Sequence, residues 1–569
     1  MTVGEIKNKE ALHLRREFSD MRDLIENTGD MYAERNAYSY RVKPSDAESV
    51  KITFAQMRDD IRALASEFIA RGYSGKNIAL IAKLSYPWVC TYFATLITGA
   101  VLVPLDKEWK GSDLADTVKK ADCEVLICDP DMESKKDEIV AANEGISVIS
   151  LLGEEGEAIN ALIALGKEKY AANPDAYHNI PIDPTKLALL VFTSGTTGKG
   201  KGVMLSQRAV LSDMADAIQY IDFSDKTVGV LPPHHTFGSS VMLVGHASIG
   251  AEIYISAGLK YVQKELKAEK PGHLVLVPLY LETFYRKILA NIKSQNKEKK
   301  VKFAIKLSRF CLFFGIDIRK KLFAQIREAF GGELKTVISG GAPLNNEIVE
   351  FFNDIGITTL NGYGITECAP IIAVNHSVRN RQGSVGPVLG IDEVKIQDPN
   401  EDGEGEILVK GSNVMLGYYK DEEATAAAMD SDGFFHTGDY GKLGPDNEIY
   451  ITGRLKNLII LSNGKNVYPE EIENELVSVP GVLEIIVYEG KSRRGDSYNT
   501  IVAEVYPDGD YISKNGIEDV KAYLQPFVDN YNRTAVPYKK IGLLKVREEE
   551  FPKNTLRKIL RFKLDMTID

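Results

Sequence analysis

Thr193-Ser194-Gly195-Thr196-Thr197-Gly198-Lys199-Gly200-Lys201-Gly202 follows directly on the apolar run Leu187-Ala188-Leu189-Leu190-Val191-Phe192. Such a run has the length of a buried strand. Val203-Met204-Leu205-Ser206 resumes an extended pattern, and Ser206 is placed to cap a helix beginning near Gln207. The glycines let the intervening backbone turn tightly and gather several N–H groups at one point. Hydroxyls at Thr193, Ser194, Thr196 and Thr197 add donors, and Lys199 and Lys201 add positive charge. This loop suits a polyphosphate. Gly195-x-x-x-x-Gly200-Lys201 begins like a Walker A loop, but Gly202 stands where Ser or Thr would hold magnesium. A mobile Gly/Ser/Thr linker is the other reading, and linkers rarely place so many hydroxyls directly after a buried strand.

Upstream the chain alternates. Phe54, Met57, Ile61, Leu64 and Phe68 recur three or four residues apart and predict a helix over 53–72, closed by Gly72. Ile78-Ala79-Leu80-Ile81 reads as a strand, 86–98 as a helix carrying Trp88, and Val101-Leu102-Val103-Pro104 as another strand. A further helix and a strand over 124–128 follow. The alternation means βαβ units and a largely parallel sheet, with Trp88 and Phe93 as core residues. At 569 residues the chain is long enough for two or more domains. Its 44% hydrophobic and 26% charged residues are the balance of a globular protein. A net charge of −11 gives no general attraction to nucleic acid. The five cysteines (Cys90, Cys123, Cys128, Cys311, Cys368) form no CxxC pair and read as reduced thiols, mostly in cores, in a cytoplasmic protein. Cys123 and Cys128, five apart on a strand, are expected on opposite faces. Glu5, Lys7, Lys9 and Glu10 leave no apolar stretch for a signal peptide, and no run approaches the ~20 apolar residues of a spanning helix.

Downstream, chemistry-bearing residues come in short clusters. Leu231-Pro232-Pro233-His234-His235-Thr236-Phe237-Gly238 holds adjacent histidines, but no third ligand stands at metal-like spacing, and either alone reads as a structural histidine. From Lys226 to Ala251 there is no Asp or Glu. Residues 285–330 are rich in cations, among them Lys299, Lys300, Lys302 and Lys306, interleaved with Phe303, Phe310, Phe313 and Phe314. This segment is either a solvated helical excursion or a basic amphipathic surface that touches anionic membrane or the phosphates of coenzyme A. Tyr363-Gly364-Ile365-Thr366-Glu367 follows a strand expected at 358–360. Tyr offers a flat face for a base, Thr a donor for a phosphate and Glu a hard oxygen for Mg²⁺. Phe435-His436-Thr437-Gly438-Asp439 puts a carboxylate behind a tight turn, where it can accept both ribose hydroxyls or simply order its own turn. Gly453-Arg454-Leu455-Lys456-Asn457 marks a boundary between domains over 1–453 and 454–569. The second holds a glycine turn at Ser462-Asn463-Gly464, a helix opened by Pro469, strands at 483–488 and 500–506, a helix near 516–528 and a last short strand. Phe551-Pro552-Lys553-Asn554-Thr555-Leu556-Arg557-Lys558-Ile559-Leu560-Arg561 closes the set, with a solvated basic tail as its plain reading.

Taken in order, these segments resemble the motifs of the adenylate-forming superfamily (acyl-CoA synthetases, luciferases, peptide-synthetase adenylation domains), and the resemblance covers nearly the entire chain. The phosphate-loop pattern there is Ser-Gly-Thr-Thr-Gly-x-Pro-Lys-Gly; here Gly200 replaces Pro. The resemblance implies an α/β fold: a large N-terminal domain with parallel-rich sheets and helices, and a small mobile α+β C-terminal domain that turns about a hinge at Lys456. It implies that Thr193, Ser194, Gly195, Thr196, Thr197, Gly198 and Lys201 hold the phosphates of ATP. Gly341 and Ala342, within Ser339-Gly340-Gly341-Ala342-Pro343-Leu344, would line the adenine site, and Tyr363 would stack on the base. Thr366 would meet the α-phosphate, Glu367 would hold Mg²⁺, and Asp439 and Arg454 would contact the ribose. His235 would lie beside the acyl carboxylate, with His234 in place of a frequent aromatic. Gly464 would line the pantetheine channel, and Lys558 would be the adenylation lysine. The chain departs from the pattern at Asn457, where Asp is frequent, and at Asn554 and Arg557, where the last motif has Thr and Gly.

The implied reaction converts a carboxylate, a poor electrophile, into an acyl-adenylate with release of pyrophosphate, and then passes the acyl group to a thiol. Amino-acid-activating relatives place a carboxylate within the acid-free stretch 226–251, so its absence favours a plain carboxylic acid. The elongated 285–330 segment resembles long-chain fatty acyl-CoA synthetases in particular. The reading is a ligase that joins a fatty acid to coenzyme A, with ATP and Mg²⁺. Transfer to acyl carrier protein is a second reading, because both thiols end in phosphopantetheine. A non-catalytic acyl- or nucleotide-binding protein is a third, opposed by the presence together of Lys201, Glu367, Asp439, Arg454 and Lys558. The expected place is the cytoplasm, with peripheral contact at the inner face of the membrane through 285–330.

Overall fold

Thr53 opens the helix Phe54–Ala70 with a reciprocal cap: its hydroxyl accepts from the Gln56 N–H, and the Gln56 side chain accepts from the Thr53 N–H. Two otherwise orphaned donors are satisfied in this way. Gly72, at φ +69°, reverses the chain in a conformation that suits glycine. The face carrying Phe54, Met57, Ile61, Leu64 and Phe68 is buried, as the periodicity predicts. A computed structural model describes this and the rest of the fold over residues 11–193, 200–461, 465–492, 497–553 and 558–568.

Asn77–Ile81, Val101–Leu105, Cys123–Cys128, Ser147–Ser150 and Leu187–Thr193 are parallel strands of one sheet. Lys201–Ser206 returns antiparallel to Leu187–Thr193, and Gly417–Tyr418 adds a short edge. The helix Tyr86–Ile97, with Trp88 and Phe93 fully buried, covers one face. The helix Gly111–Lys120 covers the other through Leu114 and Val118. Burial on both faces is what continuous apolar strands require. The expectation for Cys123 and Cys128 fails. Cys123 pairs with Asn77 but Val125 pairs with Ile78, so Glu124 is an inserted bulge residue. The bulge shifts the alternation by one, and both cysteines join the same cluster with Leu126. All five cysteines are free thiols.

Two further sheets bring their strand ends to the site. His273–Leu276, Thr336–Ser339 and Thr358–Gly364 run parallel, with Ile371–Val374 antiparallel beside them. Asp392–Gln397, Gly405–Gly411, Phe435–Leu443 and Ile449–Arg454 form an antiparallel sheet. After Arg454 the core changes. Ile459, Val467, Ile472, Val487, Val505 and Leu544 belong to a cluster of their own. It is built on the strands Val482–Lys491, Ser497–Pro507 and Ile541–Val546 and the helices Pro469–Leu476 and Val520–Thr534. The last helix starts later than expected because Asp519 caps it, accepting from the Ala522 N–H at 2.9 Å.

The large part also buries a histidine pair. His246 Nδ1 lies 3.0 Å from the Val241 carbonyl and therefore carries the proton. Its Nε2 accepts from His273 Nε2–H at 2.8 Å, and His273 Nδ1 accepts from the Ser224 N–H at 3.2 Å. Burial lowers the pKa of His246 to about 4 and that of His273 well below its ordinary value. Unfolded chains bind these protons near pH 6.5, so the neutral pair adds stability above that pH and loses it as pH falls toward 4. Urea unfolding at pH 6.5 and pH 5 is expected to differ by about 2 kcal/mol from His246 alone. An unchanged midpoint would contradict the neutral pair.

Candidate active site

The strands Leu187–Thr193 and Lys201–Ser206 pair so that Thr193 faces Lys201. Ser206 caps the helix Gln207–Ala217 as expected, accepting from the Ala209 N–H at 3.1 Å. Ser194, Gly195, Thr196, Thr197 and Gly198 lie outside the described residues, as does Gly464. At the loop's exit, the Lys201 ammonium sits 4.4 Å from the centre of the Tyr418 ring. The Tyr418 hydroxyl donates to Glu367 Oε1 at 2.9 Å. Tyr418 thus joins the hairpin to the segment that carries Glu367.

That segment begins at the end of Thr358–Gly364, a strand that runs past 360 and includes Tyr363. Thr366 and Glu367 follow on a single tight turn, Thr366–Cys368, pinned where the Glu367 carbonyl accepts from the Met415 N–H at 2.8 Å. Gly364 permits the reversal: a Cβ there would lie 1.8 Å from the Pro370 carbonyl oxygen. Gly341, at φ +86°, and Ala342 are exposed just beyond the end of Thr336–Ser339. The carboxyl ends of parallel strands are the usual place for a ligand in such sheets.

Tyr363 is buried and donates its hydroxyl to Asp439 Oδ2 at 2.8 Å. The other Asp439 oxygen receives Arg454 Nε at 2.7 Å, across the register that pairs the two residues. Asp439 stands inside the strand Phe435–Leu443, not behind a tight turn. The strand is kinked there. Glu406 and Leu408 pair with Tyr440 and His436, so three residues bulge opposite one. Glu406 fills the irregularity, accepting from the Gly438 N–H at 3.1 Å and pairing with His436 Nδ1 at 2.9 Å.

Lys456 and Lys558 approach the same group. Burial and the neighbouring Arg454 lower the pKa of Lys456. Burial brings the Lys558 ammonium down to about 8, with repulsion from Arg454 and Lys456 added and attraction from Asp439 and Glu470 opposing. The ends of its segment are fastened. Lys553 forms ion pairs with Glu484 and Glu550. Arg561 Nη2 reaches Glu473 at 2.5 Å, and its Nη1 donates to the Val487 carbonyl at 2.8 Å.

His235 lies on the 231–238 turn. A Cβ at Gly238 would come 2.0 Å from the Pro232 carbonyl oxygen, so glycine closes the turn. The His234 and His235 rings lie 4.3 Å apart, and burial lowers their pKa values to about 4 and about 3. Both are neutral at neutral pH. The chain continues as a π-helix, Phe237–Gly245. The Phe237 ring lies 3.3 Å from where a Cβ of Gly340 would stand, and the Gly362 carbonyl oxygen is 3.4 Å from the same point. The histidine turn, the 339–342 segment and the Tyr363 strand therefore meet. Sequence reading missed Tyr418 and Glu470. Gly417, at φ +138°, before an aromatic pair was the available signal for the first, and an acid in the first turn of a proline-opened helix for the second.

The fold is that of adenylate-forming enzymes. The model of the AMP-binding enzyme family matches residues 25–419, and the chain belongs to that family. Long-chain-fatty-acid--CoA ligase 5 of Rattus norvegicus is 28% identical over 514 residues, which covers 82% of this chain and 73% of the relative. The chloroplastic long-chain-fatty-acid--[acyl-carrier-protein] ligase AEE15 of Arabidopsis thaliana is 27% identical over 556 residues, 84% of this chain and 75% of the relative. The ATP-bound RpMatB-BxBclM chimera B1 superposes with a TM-score of 0.76 at 24% identity, covering 95% of this chain and 97% of that one, and shows the shared fold. The chain is an AMP-forming acid–thiol ligase. Among the described residues, no helix is long and apolar enough to cross a membrane.

Proposed function

We propose that the protein is an ATP-dependent fatty acyl-CoA synthetase. The observation that carries this reading is the convergence on Asp439. Tyr363, Arg454 with Lys456, and Lys558, from three stretches of chain, act on one carboxylate beside the Lys201–Tyr418–Glu367 link. In the first half-reaction a fatty acid carboxylate oxygen attacks the α-phosphorus of ATP and pyrophosphate leaves. The loop from Thr193 to Lys201 holds the phosphates, Thr366 donates to the α-phosphate, and the Lys558 cation offsets charge that builds on it. Gly341 and Ala342 border the base, and the Tyr363 ring, oriented by its bond to Asp439, stacks on it. Asp439 and Arg454 take the ribose. His235, neutral, donates to the acyl carboxylate without a competing charge. Glu367 suits a magnesium ion, since Tyr418 occupies only one of its oxygens. When bound there, Mg²⁺ would neutralise phosphate charge.

In the second half-reaction the thiol of coenzyme A attacks the acyl carbon and AMP leaves. The domain over 454–569 turns on the domain over 1–453 about Lys456, which withdraws Lys558 and brings Gly464 to the pantetheine. Relatives named for coenzyme A support this acceptor; a relative named for acyl carrier protein keeps that thiol as the alternative. Peripheral contact at the inner face of a membrane through 285–330 belongs to the same proposal.

Pyrophosphate release over acetate, octanoate, palmitate and benzoate, with coenzyme A or holo acyl carrier protein, tests the reading. Sustained turnover is expected with the fatty acids and coenzyme A. Turnover with carrier protein alone would move the acceptor, and benzoate or acetate as the preferred acid would overturn the substrate.

A further inference from the structure

The helix Glu298–Phe313 packs inward through Val301, Ala304, Ile305 and Ser308. Its outer face is bare. Phe303 is 68% exposed, Phe310 63%, Phe313 84% and Phe314 61%. Phe314 lies edge-on to Phe310 at 5.1 Å and to Phe313 at 5.3 Å, so these rings pack on one another and form a projecting knob. Contiguous exposed aromatics of this kind mark a contact surface.

The surrounding charge identifies the partner. Much of the basic character of 285–330 is spent internally. Arg286 bonds Glu282 and the Leu483 carbonyl, Lys293 lies over the Tyr511 ring, and Arg309 pairs with Asp354. Lys299, Lys300, Lys302 and Lys306 are exposed on the same helix, with Glu298 its only acid, in a chain whose net charge is −11. Lysine is depleted at protein interfaces, whereas lysines beside aromatic side chains suit a bilayer: the rings enter the acyl boundary and the ammoniums stay at the phosphates.

We propose that this face, from Lys299 through Phe314, docks on an anionic lipid bilayer. The docking deepens the membrane contact proposed above and rests on the fatty acid reading only for its purpose, since the binding itself needs neither ATP nor acid. Cosedimentation of the full chain with phosphatidylcholine vesicles, with or without phosphatidylglycerol, tests it. Binding is expected to the anionic vesicles alone, and to weaken at least about fivefold in about 1 M salt. The variant Phe310→Ala/Phe313→Ala/Phe314→Ala is expected to lower vesicle partitioning by about tenfold or more, and Lys302→Glu/Lys306→Glu likewise. These positions are exposed and none of them belongs to the described site, so ATP–pyrophosphate exchange with octanoate should stay within about twofold of the unaltered chain. No binding at low salt, or binding equal in the aromatic variant, would overturn the proposal. So would an unaltered chain that ignores vesicles but self-associates through this face, with the aromatic variant monomeric. Vesicle binding without any pyrophosphate exchange would leave the docking in place and remove the ligase reading.

Discussion

Replacing Lys558 with alanine is expected to lower acyl-adenylate formation by about a hundredfold or more, the usual cost of one preorganised donor at about 3 kcal/mol. Charge accumulates on the α-phosphate oxygens during the attack, and Lys558 is the cation that the last segment brings toward Asp439 and Arg454. The fold should survive the change, because the segment is held by Arg561 on Glu473 and Lys553 on Glu484. The lowered pKa adds a second signature. With its pKa near 8, Lys558 is a cation below that pH and neutral above it, so adenylation should fall as pH rises through about 8. Lys558→Arg should move that fall to higher pH. ATP–pyrophosphate exchange across pH 6 to 10 measures both effects. An alanine variant within about threefold of the unaltered rate, equally folded by thermal melting, would remove Lys558 from the chemistry.

The second large effect separates the two half-reactions. Lys456→Pro is expected to impair thioester formation at least about tenfold more than adenylation. Lys456 lies in the short turn Leu455–Asn457, between the strand that ends at Arg454 and the separate core that begins at Ile459. On the proposed reading, the arrangement with Lys558 near Asp439 serves adenylation, and that segment withdraws before the thiol attacks. Proline fixes φ and removes the N–H at the one place where the backbone must rotate. Single-turnover pyrophosphate release should stay close to normal while thioester accumulates slowly. Equal loss in both steps would contradict a hinge at Lys456.

Much of this was legible in the sequence because it is local. The run 187–192, the Ser206 cap and the spacing of Phe54, Met57, Ile61, Leu64 and Phe68 are decided within a few residues, and each appears as expected. Glu124 shows the limit: one inserted residue reverses the alternation, and no local pattern announces it. Asp439 was found by its motif, but its setting depends on Glu406 filling a kink in the neighbouring strand. Tyr418 links Lys201 to Glu367 from more than fifty positions beyond Glu367, and such a bond exists only once the chain is folded. The motifs thus named the charged groups and Tyr363, while Tyr418, which bonds Glu367 and faces Lys201, came from packing.

The central claim is that a fatty acid is activated as its adenylate at Asp439, Arg454 and Lys558 before the thiol attacks. Turnover of a fatty acid carrying heavy oxygen in its carboxylate, with ATP and coenzyme A, tests it most directly by the mass of the nucleotide released. Carboxylate attack on the α-phosphorus leaves one acid oxygen on that phosphorus, so AMP carrying one labelled oxygen is the expected result. Unlabelled AMP, or ADP with labelled phosphate, would contradict it.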